Sequence, residues 1–339
     1  MSRVRVAVLA GGRSSEHEIS LASARSVVAA LDPARYEVVE IAIGRDGRWE
    51  LAAGTPSLAE ATIETLPVLA EAASPARALG SVDVVLPILH GPFGEDGTVQ
   101  GLLDLAGVPY VGAGVAASAL CMDKDLCKKV LRESGIPVAP HHTIRLGDPV
   151  ANPYGYPVFV KPARLGSSVG ITKAHDASEL EAAVVLARRH DEKVLVEQFV
   201  AGAEVECGVL GNLRPAPIAS VVGEIVPHAE WYDYAAKYDA DGSDIVVPAR
   251  IPDAITARVQ ELAMAAFVAT ECEGMARVDF FVREDGEAVV NEINTIPGFT
   301  ETSVYARLFE ASGIGYAELL DRLIALALER HERRSSLEY

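Results

Sequence analysis

The hydrophobic pattern opens on a strand, a helix and a second strand. Val4–Ala10, apolar but for Arg5 and closed by Gly11-Gly12, reads as a strand, Ser20–Leu31 as a helix, and Tyr36–Ile43, apolar but for Glu37 and Glu40, as a second strand. Val82–Leu89 repeats the buried-strand pattern, and Thr98–Ala106 reads as a helix with Gly107 as its stop. Apolar strands alternating with helices predict a parallel sheet covered by helices.

Further along, the pattern changes. Asp123 caps a predicted helix running to Ser134, closed by Gly135 and followed by Pro137 and Pro140, and the proline-rich passage 137–157 leads into a second module. That module reads as strand Val158–Lys161, a glycine loop, helix Ser178–Arg189, and strands Lys193–Gln198 and Glu204–Leu210. Residues 228–243 form a loop too long for mere connection and are a candidate lid. Asp253–Thr270 is a helix, Ala276–Val282 and Ala288–Asn294 are strands, and Ala317–Arg330 is a final helix. No internal repeat is present. The expected fold class is α/β, with α+β modules after the first.

Composition narrows the function. With 339 residues, half of them hydrophobic, the chain suits two or three packed modules. A net charge of -18 repels phosphate backbones and speaks against a nucleic-acid partner. Cys121, Cys127, Cys207 and Cys272 lack close metal-ligand pairing, which suits reduced thiols in the cytoplasm. The N-terminal apolar run is shorter than a secretory signal, and no stretch approaches a membrane span.

The last strand pair holds the densest chemistry. Asp285-Gly286 favours a two-residue type I′ turn, which sets Asp279 opposite Glu292 and Arg277 opposite Asn294. Residues two apart share a face, so these four form one polar square. Two carboxylates on opposed residues repel and call for a cation, and an oxygen-only donor set suits magnesium. The plainer reading is an exposed face on which Arg277 neutralises the acids. A three-residue turn would shift the register and separate the carboxylates.

Gly166-Ser167-Ser168-Val169-Gly170 follows the strand ending at Lys161. Its glycines let backbone amides approach phosphate oxygens, Ser167 and Ser168 add hydroxyls, and Lys161 adds a point charge. Alone, such a segment is a plain turn; beside a lysine and a magnesium site it reads as a nucleotide loop. No Walker A pattern occurs. Gly112-Ala113-Gly114 resembles a dinucleotide fingerprint but lacks the following acid, so it reads as helix N-terminal packing.

Four segments, in order, resemble motifs of the D-alanine–D-alanine ligase family: Gly11–Ser20, His90–Gly97, Lys161–Gly170 and Asn291–Thr300. The resemblance implies an ATP-grasp fold with an N-terminal parallel-sheet domain (1–122), a small central lid domain (123–212) and a C-terminal catalytic domain (213–339). It implies ATP, two magnesium ions (manganese as substitute), two D-alanine substrates and a homodimer. It further implies that the γ-phosphate converts the first D-alanine carboxylate to an acyl phosphate, which the second amine attacks.

Residue by residue, the resemblance places Lys124 and Lys161 on the phosphates, Glu197 near the adenine amino group and Glu204 on the ribose. Asp279, Glu292 and Asn294 match the metal ligands. Arg277 and the Gly298 amide match the groups that stabilise the attacked carbonyl. Glu16 matches the partner of the first ammonium, with His90 beside it, and Ser303 matches the site of the second carboxylate. In the loop, Lys237 faces the phosphates and Tyr238 links Ser167 to Glu16. Plainer readings stand beside some of these. Lys124 reads as a solvated helix lysine, His90 as a hydrogen-bonded core residue, Ser303 as a helix N-cap, and Trp231 as loop packing. The rival activities are a D-alanine–D-lactate ligase, against which Lys237-Tyr238 weighs, and a non-catalytic ATP-grasp module.

Overall fold

The structure, a computed structural model, describes residues 3–51, 79, 82–228 and 242–338. The segment matched to the mobile loop, with Trp231, Lys237 and Tyr238, lies outside the described residues.

The first sheet has the order β3-β2-β1-β4, from β1 (Val4–Gly11), β2 (Tyr36–Ile43), β3 (Trp49–Leu51) and β4 (Val84–Pro87). β1 runs parallel to β2 and β4, as the alternation predicts, while β3 is an antiparallel edge. Both faces of β1 are covered. Val6, Val8 and Ala10 meet α1 (His17–Ala30) and α8 (Tyr316–Ser335), whereas Ala7 and Leu9 meet Val99 and Leu103 of α2 (Thr98–Leu105). Each fully buried aliphatic side chain contributes roughly 1.5–3 kcal/mol, so the apolar runs that mark the strands also form the core.

The second sheet is antiparallel, order β5-β8-β6-β7, from β5 (His141–Ile144), β6 (Val158–Pro162), β7 (Thr172–Ala174) and β8 (Val194–Gln198). Helix α5 (Ala177–Ala187), capped by the Asp176 carboxylate on the Glu179 amide at 2.9 Å, packs on Val158, Val160, Val194 and Val196. Strand alternation turns Phe159, Lys161 and Glu197 to the other face.

The third sheet is also antiparallel, order β11-β10-β9-β12-β13, from β9 (Ala203–Gly211), β10 (Ile218–Pro227), β11 (Ser243–Val246), β12 (Gly274–Val282) and β13 (Ala288–Asn294). Val205, Cys207 and Val209 of β9 face a core shared with α3 (Val115–Met122), α4 (Lys124–Glu133) and α6 (Asp253–Ala269). Short helix α7 (Val304–Ala311) covers the opposite face, where Gly208 is required: a Cβ there would stand 2.7 Å from the Phe309 ring.

Three expectations need correction. The boundary at 212 assigns β9 to the central module, yet β9 pairs with β10 and β12 and belongs to the third sheet. Helix α4 likewise contributes Cys127 and Leu131 to the third sheet's core instead of the lid's. The β12–β13 turn has three residues, 284–286, closed by Arg283 N–H to Glu287 O and Gly286 N–H to Arg283 O, both 2.9 Å, with Gly286 at φ +86. That turn pairs Val282 with Ala288 and, continued unchanged, would set Asp279 opposite Asn291. A β-bulge at Asn291 absorbs the extra residue and restores the pairs Asp279–Glu292 and Arg277–Asn294. The core positions show the jump: Ala288 and Val290 face the third core, and so does Ile293, three residues on.

Candidate active site

A cleft of about 260 Å³ lies between the second and third sheets. Lys124, Phe159, Lys161, Gly166–Ser168, Glu197, Glu204, Asn291 and Glu292 line it. Ser167 and Ser168 both adopt left-handed backbone, φ +53 and +57, ahead of Gly170 at +73. Such conformations in non-glycine residues are held by their surroundings and cluster at functional sites.

The lysines come from separate elements. Lys124 opens α4 directly after Asp123, whose carboxylate accepts the Leu126 amide at 3.1 Å. It is buried, not solvated: its Nζ donates to Leu165 O at 2.8 Å and pairs with Glu292 at 3.2 Å. Lys161, next to last in β6, pairs with Glu197 at 2.5 Å, while Asn291 Oδ1 accepts from it at 3.2 Å. Lys128, one turn beyond Lys124, pairs with the other oxygen of Glu197 at 2.8 Å. Burial pushes the Glu197 carboxyl up, but Lys128 and Lys161 overcome it and hold the group at about 2. Glu197 is therefore the shared counter-ion of two lysines.

The polar square is present, with Asp279 buried and Arg277, Glu292 and Asn294 partly buried around it. Arg277 makes a bidentate pair with Asp279 (Nε–Oδ1 and Nη2–Oδ2, both 2.7 Å) and its Nε also lies 3.0 Å from Glu206 Oε2. Asn294 Nδ2 donates to Asp279 Oδ2 at 2.9 Å. Burial would lower the Arg277 pKa, yet Asp279 and Glu206 raise it well above its ordinary value. The plainer reading, in which Arg277 neutralises acids, is right about the pairing and wrong about exposure: Asp279 is 3% exposed. Across the sheet, Glu206, Asp279 and Glu292 occupy one row on β9, β12 and β13.

Among the described residues, no three His, Cys, Asp or Glu side chains are set to hold a metal by themselves. Asp279 and Glu292 with the Asn294 amide supply oxygen donors of the kind magnesium takes, with phosphate and water completing the shell. The residues fit an ion that arrives with a triphosphate.

Next to the cleft, the Ser167 hydroxyl donates to the Glu16 carboxylate, joining the 166–170 loop to the first sheet's β1–α1 turn. His90 is a hydrogen-bonded core residue, Nδ1 to Ile296 O at 3.0 Å and Nε2 to Ser23 Oγ at 3.3 Å, and burial lowers its pKa. Its charge field is nonetheless shared with Glu16 and Arg277. Glu95 accepts the amides of Gly91 (2.8 Å) and Ile296 (3.0 Å), and burial, reinforced by Glu16, pushes its carboxyl up to about 8. Ser303 stands at the N-cap of α7, but its hydroxyl makes no cap bond; it accepts the Thr300 amide at 2.9 Å, beside Gly298.

The sequence reading missed Lys128, Glu206, Asn291 and Glu95 as members of this constellation. Glu204 and Glu206 left a signal: acids two apart in an apolar strand share a face, which here is the face of Asp279. Lys128 left one as well, a lysine i+4 from Lys124 on the same helix face. Asn291 left none, because a bulge is invisible without the ladder.

Two antiparallel sheets closing on a lysine- and carboxylate-lined cleft, behind a parallel-sheet module, make this an ATP-grasp protein. Family models described as D-ala D-ala ligase N-terminus and C-terminus match residues 5–113 and 130–325. The chain is 49% identical to the D-alanine--D-alanine ligase of Streptomyces coelicolor, over 96% of this chain and 93% of that one. Among solved structures it resembles the D-alanine-D-alanine ligase from Coxiella burnetii (TM-score 0.88, 40% identity, 99% and 97% of the two chains). It also resembles the VanG D-Ala:D-Ser ligase from Enterococcus faecalis (0.85, 38%, 96% and 100%). A third is the Bacillus anthracis D-alanine--D-alanine ligase complexed with ATP (0.78, 28%, 98% and 99%). The chain belongs to the D-alanine–D-alanine ligase family.

Proposed function

We propose that this protein joins two D-alanine molecules into D-alanyl-D-alanine, a peptidoglycan precursor, through a D-alanyl phosphate intermediate formed at the cost of ATP. A carboxylate resists amine attack because its leaving group would be oxide. Transfer of the γ-phosphoryl group to the first D-alanine carboxylate breaks the bond to ADP. The second amine then attacks the acyl carbon, phosphate departs with the C–O electrons, and the amine loses its proton. The protein's work is alignment and charge neutralisation.

In this reading Lys124, Lys161 and Ser168 hold phosphate oxygens, with Lys237 joining them. Glu197 fixes Lys161 and stands near the adenine amino group, and Glu204 takes the ribose. Glu16, Ser167 and Tyr238 close the first D-alanine pocket beside His90. Arg277 and the Gly298 amide receive charge from the attacked carbonyl, and Ser303 holds the second carboxylate. Asp279, Glu292 and Asn294 would hold two magnesium ions, or manganese, which when bound neutralise phosphate charge. A cytoplasmic homodimer completes the reading; among the described residues no helix is long and apolar enough to cross a membrane.

The observation that carries the proposal is the cross-strand pairing of buried Asp279 with Glu292 alongside Arg277 and Asn294, at the edge of a lysine-lined cleft. The test is phosphate release dependent on D-alanine, with the product identified by mass. Because a D-Ala:D-Ser ligase shares the fold at 38% identity, D-serine and D-lactate are offered in competition. Predominant dipeptide from D-alanine alone supports the proposal, and phosphate release indifferent to D-alanine overturns it.

A further inference from the structure

The Arg277 guanidinium raises a difficulty that Asp279 cannot resolve alone. Resting on the reading above, Arg277 must face the reacting carboxyl while Asp279 serves a divalent ion. Yet here Asp279 spends both oxygens on Arg277. A carboxylate that turns toward a metal weakens its hold on the arginine, and a buried guanidinium stripped of its counter-charge is costly. Glu206 stands where it can take over. It is directly cross-strand from Asp279 on the side away from Glu292, 2% exposed, with Oε2 3.0 Å from Arg277 Nε.

We propose that Glu206 is a positioning residue that keeps Arg277 aimed at the reacting carboxyl when Asp279 engages the metal. The row Glu206–Asp279–Glu292 then works as a division of labour. The outer acid on β9 anchors the arginine, the outer acid on β13 pairs with Lys124 and faces the cleft, and the central acid alternates between arginine and ion. Asn294 steadies the central acid in either setting through its 2.9 Å bond. Glu206 serves Arg277 here and is itself no ligand.

The test is Glu206→Gln, which keeps shape and removes charge. Mn2+ binding is measured by the electron paramagnetic resonance of the free ion with β,γ-methylene ATP present, alongside kcat against Mg2+ concentration. Without Glu206, withdrawing Asp279 from Arg277 costs more, so Mn2+ affinity falls about 10- to 100-fold. The kcat loss persists at saturating metal because Arg277 is loosened, while KM for D-alanine changes little. Wild-type Mn2+ affinity overturns the proposal, and so does a kcat fully restored by excess metal, which would make Glu206 a distant charge only. Should Glu206→Gln not fold, Glu206→Asp decides. It keeps the charge one methylene short, so Mn2+ affinity stays near wild type and kcat falls; an unchanged kcat overturns the proposal. If the wild-type protein itself shows no D-alanine-dependent phosphate release, the ligase reading fails instead.

Discussion

Asp279 lies directly opposite Glu292 although the turn joining their strands is one residue too long to place it there. The bulge at Asn291 reconciles the two, and it sets the Asn291 and Glu292 side chains together on the cleft. Asn291 thus has two separable effects: it absorbs a residue, and its amide oxygen accepts from Lys161. Asn291→Ala keeps the bulge and loses that bond to a charged partner, worth about 1.5–3 kcal/mol. The expected result is a KM for ATP raised about 10- to 100-fold with unchanged magnesium dependence. Deleting Asn291 closes the bulge in register, so Glu292 still faces Asp279. Activity should then fall to the level of Asn291→Ala, not to that of Glu292→Ala; steady-state kinetics of the three variants decide it.

Removing the metal should stop the enzyme without unfolding it. Arg277 already neutralises Asp279, and Lys124 already neutralises Glu292, so the acids do not repel one another in the ion's absence. A chelator is expected to abolish phosphate release and leave the melting temperature of the nucleotide-free protein unchanged. Asp279→Asn should lower turnover by at least about 100-fold at fixed magnesium. A melting transition that collapses on chelation would mean a structural metal elsewhere.

The paired-acid hairpin shows how far the sequence reaches. Its polar square was legible because alternation fixes faces and the Asp-Gly turn fixes a centre, yet the turn has three residues and the register survives through a bulge. The local turn was misjudged while the face pattern was right, since burying Glu292 would cost far more than distorting one ladder position. Parallel β1, β2 and β4 were readable from largely apolar runs, interrupted only by Arg5, Glu37 and Glu40. Strand β10 was not, because Ile218–Pro227 mixes alanine, serine, glycine and a glutamate with its β-branched residues and alternates weakly. Among site residues, Glu197 was placed by resemblance alone. That both its oxygens would be taken by lysines depends on α4 and β6 meeting over β8, which no spacing encodes.

The Lys128–Glu197–Lys161 cluster makes acid stability a reporter of site integrity. Glu197 is held at about 2, down from 4.5, so its contribution is present above pH 4.5 and lost as pH falls from there through 2. A shift of that size corresponds to about 3 kcal/mol. Glu197→Gln should be less stable at neutral pH, and the gap to wild type should narrow as the pH is lowered from 5 to 2. Urea unfolding followed across that range checks it; a constant gap would show that the lysines do not hold the carboxylate charged. Lys128→Met, which leaves Glu197 with Lys161 alone, should reproduce part of the same loss.

Glu95 gives the opposite sign. Its carboxyl ties the Gly91 amide to the Ile296 amide, so it fastens the loop that follows β4 to the turn that follows β13, with His90 bonded across the same seam. Burial and the nearby Glu16 push it up to about 8, so the folded protein keeps a proton there that the unfolded chain releases near 4.5. Its contribution is fully present below pH 4.5 and is lost as pH rises through 8. Glu95→Gln has no proton to lose: relative to wild type it should gain stability steadily from pH 5 to 8.5 and level off above. Because a deprotonated Glu95 repels Glu16, the carboxylate proposed to hold the first ammonium, wild-type KM for D-alanine at the first site should also change through pH 8 while that of Glu95→Gln does not. Parallel unfolding curves and substrate titrations at half-unit pH steps provide the check. A stability difference that is flat across pH 5–8.5 would mean that the two backbone amides keep Glu95 ionised despite its burial.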